Sequence, residues 1–514
     1  MCFDSARWDS VKKRTRYAAS CGLSLLLFVA MASARAENRA IGLAQKGARI
    51  ESSVVEGASA SSPTVMLLGG FNGVDESSRV VNDEVRKYES QTKDRRAFRL
   101  IAVAVANPEK NRMMFPPTGV AYRENSESHV LFRWIGLQVP DLVLVVGEDS
   151  GLVDALGKSF AATGRIAASR VEAKPGLLDS VAKEIAPSEA HREMEARLKR
   201  SPQELTLLLG GTYGHDFDQL TYLPGMALIG QMRMGHVDDV QRLAARYLDG
   251  RDNLAGASSL TLAGHLVFAE LAERTQDSRY TALVVKAANT GFNADGSMKE
   301  SMPYHGEMSD SVFMAIPILA RAGKLTGERK YFDMAARHLA FMQKLVLRPD
   351  GLYRHSPLTD AAWGRGNAFP ALGLTLTLTD FPKDHPGYAA FLKSYQDLMA
   401  KLAPFQTEDG MWREVIDHPV AYEEFSATAM IATSMLRGIR NGWIDARTYQ
   451  PRVDKAWRAI KARVIANGLL MDVCESTNKQ NTLDDYLHRA AIFDFDPRGG
   501  GMALYFATEM AGLK

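Results

Sequence analysis

The chain has 514 residues, 46% hydrophobic and 24% charged, with 62 Lys+Arg against 60 Asp+Glu and a net charge of +2. This balance excludes a disordered chain, a collagen and a multi-span membrane protein, and it has no basic excess that would point to nucleic acid. The length favours two or more domains and is ample for a large core.

Residues 1–36 read as a secretory signal. Lys12, Lys13, Arg14 and Arg16 form a basic start, an apolar stretch runs from Ala18 to Ala32, and Ala34 and Ala36 give an A-x-A cleavage site before Glu37. The uninterrupted apolar run is shorter than the roughly 20 residues of a membrane span. Removing the segment takes six Lys/Arg and two Asp/Glu with it, leaving 56 basic and 58 acidic residues. Export to the periplasm or the medium is expected, with no membrane contact after signal removal. Cys2 and Cys21 go with the signal, so Cys474 has no internal disulfide partner, and with no base patterned around it Cys474 reads as a packed side chain.

Residues 37–203 read as an α/β domain with a helical connector. Short apolar runs at Val65–Leu68, Leu100–Ala106 and Leu142–Val146 are flanked by Gly, Pro, Asn or Asp, and a polar helical stretch, Arg79–Ser90, lies between the first two. Strand alternating with helix predicts a largely parallel sheet.

From 204 to 514 the helical period takes over. Stripes at Phe332–Met342, Tyr388–Leu402 and Val453–Val464 each lie on one helical face and read as core. The turn dipeptides Asp295-Gly296, Asp350-Gly351, Asp409-Gly410 and Asn467-Gly468 recur 55, 59 and 58 residues apart. That period suits a helical hairpin with its connections. Such hairpins either close into a ring with a funnel at one end or stack as an open solenoid; in a ring, residues just after the turns gather at one rim.

The rim candidates are carboxylates, His, Arg and aromatics. Asp310 introduces an apolar run, which by position alone suits a helix N-cap. His355 follows the Gly351 turn. Arg365 sits between glycines in Trp363-Gly364-Arg365-Gly366-Asn367, where close backbone approach would let a guanidinium clamp a carboxylate. Trp363, Phe369 and Trp412 could bind sugar rings if exposed, or equally be core. The sequence contains no GxxxxGK[ST], HExxH, CxxC or GxSxG.

Taken together, Asp310–Met314, Gly351–His355, Trp363–Asn367, Gly410–Asp417, Glu424–Thr428 and Gly499–Glu509 resemble, in order and spacing, the unsaturated glucuronyl and rhamnogalacturonyl hydrolases, families 88 and 105 of the glycoside hydrolases. The resemblance covers about 205–514. It implies an (α/α)6 barrel behind the small α/β domain, and removal of a terminal 4,5-unsaturated uronic acid from oligosaccharides left by polysaccharide lyases. Its acid/base would be Asp310, raised in pKa by a partner carboxylate or a low-dielectric pocket. Asp252 matches the second carboxylate, one hairpin period upstream. His355 and Arg365 match substrate-binding positions for the uronate carboxylate, with Asn367, Trp363, Phe369 and Trp412 beside them. No metal or cofactor is implied, and the only partner implied is an acidic oligosaccharide. Met308 and Phe369 stand where the family often has Trp.

The region 64–150 resembles a zinc carboxypeptidase-like α/β fold, through Leu68–Gly73, Val105–Pro108 and Pro140–Leu142. Its His-x-x-Glu zinc pair would fall on Asn72 and Asp75, and the third strand ends in Gly147-Glu148 without His, so no metal is expected there. Three rival readings remain open: an inverting glycosidase using Asp252 and Asp310 on saturated sugars, a non-catalytic carbohydrate-binding protein, and an amidohydrolase in the first domain.

Overall fold

A computed structural model describes residues 37–513 except 159–163, 183, 252, 253 and 255. The secretory-signal reading and Asp252 therefore lie outside the described residues.

The amino-terminal part is one six-stranded sheet. Its strands are β1 (Glu37–Leu43), β2 (Arg49–Val55), β3 (Thr64–Leu68), β4 (Arg99–Val103), β5 (Leu142–Val146) and β6 (Ala167–Val171), in the order β1-β2-β4-β3-β5-β6. β4, β3, β5 and β6 run parallel; β1 and β2 are added antiparallel at one edge. The period of two decides which side chain meets which helix. Val65, Leu67, Leu100, Ala102, Leu144 and Val146 pack with Val80, Val81, Val85 and Tyr88 of the Glu76–Glu89 helix. Their alternates Met66, Leu68, Ile101, Val103, Val143 and Val145 pack with Val130, Leu131, Trp134 and Ile135 of the Ser126–Gln138 helix. Both faces are covered, which is why these strands read as continuous apolar runs.

The carboxy-terminal part is helical. Six helices that are almost wholly buried touch one another in a cycle: Tyr222–Arg233, Ser259–Gly264, Ser311–Met314, Gly364–Asp380, Phe425–Arg440 and Pro497–Met510, the last returning to the first. Amphipathic helices, including Arg329–Val346, Tyr388–Leu402 and Ala446–Arg463, lie outside them with one apolar face inward.

The repeated turns share one geometry. In each, an N–H donates to the carbonyl four residues on: Asn293 to Ser297, Arg348 to Leu352, Thr407 to Met411 and Ile465 to Leu469. The glycine N–H closes each turn backward, from Gly296, Gly351, Gly410 and Gly468. All four glycines hold φ between 79° and 93°, a region costly for residues with a Cβ.

The two parts share an apolar layer. The cluster built on the Ser126–Gln138 face of the sheet continues into Ala361, Trp363, Val415, Tyr422, Cys474 and Tyr486 of the helical part. Tyr122 stacks on Tyr422 with ring centroids 4.8 Å apart.

Candidate active site

The amino-terminal ends of the buried helices bring the chemistry together. Asp310 is the N-cap residue of Ser311–Met314, but its side chain caps nothing. That frees the carboxylate: the side chain is 14% exposed and its Oδ2 has no hydrogen-bond partner. His355 Nε2 stands 3.2 Å from this oxygen, and it too is without a hydrogen-bond partner. The Ser309 N–H donates to the His355 carbonyl at 2.9 Å, so the main chain sets the pair.

His355 is itself fully buried and oriented from behind. Its Nδ1 lies 2.7 Å from Tyr486 Oη, and that oxygen accepts from the Gln480 N–H at 3.2 Å. Tyr486 therefore donates to Nδ1, which leaves Nε2 as the protonated ring nitrogen, 3.2 Å from Asp310 Oδ2 with no hydrogen bond formed between them. The ring lies against Trp363, centroids 4.3 Å apart. Behind Asp310, buried His338 accepts from the Met302 N–H through Nδ1 and meets Ser311 Oγ through Nε2 at 2.9 Å. Burial pushes this imidazole down to about 3, so it is neutral at any working pH.

Arg365 is 3% exposed. Its Nη1 donates to the Cys474 carbonyl and its Nη2 to the Glu475 carbonyl, each at 2.7 Å, and it packs over Trp363. The guanidinium thus ties the Gly364–Asp380 helix to the end of the Leu470–Cys474 strand and the residue after it. Asn367 is equally committed: it donates to the Tyr353 and Trp363 carbonyls and accepts from the Tyr353 N–H.

The aromatic residues read as a sugar platform lie elsewhere. Phe369 is buried between Tyr222 and Phe313, and Trp412 is buried with its indole N–H donated to the Leu402 carbonyl. Trp363 is 1% exposed and serves as the floor beneath His355. Where a platform would need exposure, burial of these large rings yields more, so they form the core. Asp310, His355, Trp363 and Arg365 are brought together, while Phe369 and Trp412 are not on an open face.

Sequence reasoning gave no role to two carboxyls that lie beside Arg365 and Trp363. Glu424 caps Phe425–Arg440, accepting from the Ser426 and Ala427 N–H groups and from Cys474 N–H at 2.9 Å, with Arg365 at 3.9 Å. Glu414 is fully buried and neither oxygen is hydrogen-bonded. Burial and the Glu424 charge push its carboxyl well above the usual range, so it is a neutral acid packed beside Trp363. Arg365 and Glu424 then balance in charge. Tyr486, 131 residues from His355 in sequence, was also missed. Cys474 is buried, and desolvation raises its thiol to about 11, so it is no nucleophile.

In the sheet domain, Asp75 accepts from Ser78 N–H and caps the Glu76–Glu89 helix, while Asn72 is exposed. Among the described residues no group of three His, Cys, Asp or Glu is placed to hold a metal ion, and no helix is long and apolar enough to cross a membrane.

The model of glycosyl hydrolase family 88 matches residues 222–514, more than half of the chain and the whole cycle of buried helices. The chain belongs to this family. Among relatives, an unsaturated 3S-rhamnoglycuronyl hydrolase of Alteromonas sp. is 27% identical over 254 residues, 45% of this chain and 59% of the relative. The unsaturated rhamnogalacturonyl hydrolase YesR of Bacillus subtilis is 25% identical over 214 residues, 40% and 60% respectively. The matched region spans less than two thirds of each of these relatives. A family 88 glycosyl hydrolase structure from Bacteroides vulgatus superposes with a TM-score of 0.52 at 17% identity, covering 61% of this chain and all of that one. A possible family 105 member from Klebsiella pneumoniae gives 0.52 at 21%, covering 66% and 97%. These structures share the fold of the family 88 part; the six-stranded sheet is an addition in front of it.

Proposed function

We propose that this family 88 protein removes a terminal 4,5-unsaturated uronic acid from oligosaccharides produced by polysaccharide lyases. The reading takes the cycle of buried helices as an (α/α)6 barrel with Asp310 and His355 at its mouth, and Asp252 as the second carboxylate. It takes residues 1–36 as an export signal, so that the protein meets its substrate outside the cytoplasm. The observation that carries it is the Asp310–His355 pair: a partly exposed carboxylate side chain whose inner oxygen, Oδ2, stands 3.2 Å from the imidazole Nε2, both atoms unsatisfied.

The chemistry is hydration of an enol ether. Protonated Asp310 delivers its proton to C4, and positive charge develops at C5 and the ring oxygen. The carboxylate so formed takes a proton from water as that oxygen bonds to C5, which restores the acid. The C5 hemiketal opens to a ketone, and the C1 hemiacetal then expels the remaining sugar as an alcohol. No enzyme carboxylate bonds to the sugar, so the spacing rules of ordinary two-carboxylate glycosidases do not apply. His355 Nε2–H supplies a donor for Asp310 or for the uronate carboxylate. Arg365 acts as framework, because its Nη1 and Nη2 are bound to the Cys474 and Glu475 carbonyls.

The test is incubation of the protein with lyase-made disaccharides while following the ultraviolet absorbance of the conjugated uronate. Loss of absorbance with wild type and not with Asp310→Asn is the expected result. Loss with both moves the acid to another residue, and no loss with any unsaturated substrate overturns the reading.

A further inference from the structure

The support for His355 does not end within the helical part. Asp472 lies in the Leu470–Cys474 strand, 4% exposed, with φ at 67°, a left-handed conformation unusual for a residue with a Cβ. Both of its carboxylate oxygens are gripped by Arg133 from the sheet domain's Ser126–Gln138 helix, Nη2 to Oδ2 at 2.9 Å. Arg463 Nε donates to the same Oδ2 at 2.8 Å. Burial disfavours the Asp472 charge, but the two arginines outweigh that and hold the carboxyl below its usual range.

Two residues on, the same strand end makes the bonds that frame the site. Cys474 N–H binds Glu424, and the Cys474 and Glu475 carbonyls bind Arg365. Glu475 N–H donates to the Ala490 carbonyl at 2.9 Å, closing the segment that carries Tyr486 over His355. The Glu475 carboxylate pairs with Arg489 at 2.8 Å and with Arg123 of the sheet domain at 3.5 Å. A chain of mostly buried contacts thus runs from the Ser126–Gln138 helix through the Leu470–Cys474 strand to His355 and Asp310.

We infer that the sheet domain positions the reacting pair, with Arg133 as a positioning residue acting through Asp472 and the 470–490 segment. This rests on the reading of Asp310 and His355 as that pair. The sheet domain would then be a buttress for the mouth of the helical domain, in keeping with the ordinary structural roles of the residues at its carboxypeptidase-like positions.

The full-length chain supplies the test, as wild type, Arg133→Met, Arg133→Lys and Arg123→Gln. With the unsaturated disaccharide, Arg133→Met lowers kcat by about tenfold to a hundredfold with KM changed less than about threefold, since a small displacement of a catalytic group costs rate before binding. Arg133→Lys, which keeps the charge but loses the two-pronged grip, falls between it and wild type. A readout independent of turnover is the ring 15N shift of His355 at fixed pH, assigned with His355→Gln; it moves in Arg133→Met and less in Arg123→Gln. A folded Arg133→Met with wild-type kcat and an unmoved His355 signal overturns the inference. Should Arg133→Met not fold, a wild-type His355 signal and wild-type kcat in both Arg133→Lys and Arg123→Gln overturn it equally. If wild type leaves every unsaturated disaccharide intact, the functional reading fails while the His355 shift still decides the mechanical coupling.

Discussion

The main-chain N–H of Ser309 donates to the main-chain carbonyl of His355, a bond that links the backbones of Asp310 and His355 without using either side chain. Asp310→Asn should therefore leave the fold intact. Its carboxylate caps no helix and Oδ2 has no partner, so the melting temperature stays at or slightly above the wild-type value. Turnover should drop by more than about a hundredfold, the scale of a lost general acid. Calorimetry and the absorbance assay, run on one preparation, check both halves.

Tyr486→Phe removes the hydroxyl that fixes the His355 tautomer and leaves Nδ1 and the Gln480 N–H without it. The expected cost is about 1–3 kcal/mol of stability. The rate should fall less than for Asp310→Asn, because the ring still packs on His355. Denaturant melts and initial rates separate the two effects.

Gly373 permits the approach of the Gly364–Asp380 helix to the one that begins at Asp310. A Cβ there would sit 2.5 Å from the Val312 carbonyl oxygen and 2.7 Å from Phe313 Cα. Both are backbone atoms that cannot swing away. Gly373→Ala should destabilise by about 1–3 kcal/mol and lower the rate by shifting Asp310, measured by thermal melting and the absorbance assay. A wild-type melting temperature for this variant would contradict the packing described.

Glu414 gives a pH signature. Its carboxyl is raised in the folded state from an ordinary value of 4.5, so the folded chain holds a proton that the unfolded chain releases. Its contribution is complete below about 4.5 and is lost as pH rises toward the raised folded value. Glu414→Gln keeps the shape and removes that loss. The variant should match wild type near pH 4 and melt progressively higher than wild type from pH 5 to pH 8, as read by scanning calorimetry.

The legible parts of this chain are those whose environment has one dominant direction. The outer helices Arg329–Val346 and Tyr388–Leu402 show their stripes because one face meets water. β3 and β5 stand out as apolar runs because both faces of the sheet are covered. The turns were legible because only glycine sits easily at their φ. The helix Gly364–Asp380, buried along almost its whole length, has no stripe to read. β1 and β2, at the edge of the sheet, mix polar and apolar residues and gave no strand signal. At the site, Asp310, His355 and Arg365 stand in recognisable local patterns. Tyr486 and Glu414 matter only through neighbours brought near by the fold, and nothing in the surrounding sequence marks a buried acid or a hydroxyl aimed at a distant imidazole.

The apolar layer shared by the sheet and the helical part has a consequence for how the protein comes apart. Freed of the sheet, Trp363, Tyr422 and Tyr486 would face water next to Glu414. Heating should accordingly melt both parts in one transition, and a fragment beginning near Tyr222 should clump when it is made alone.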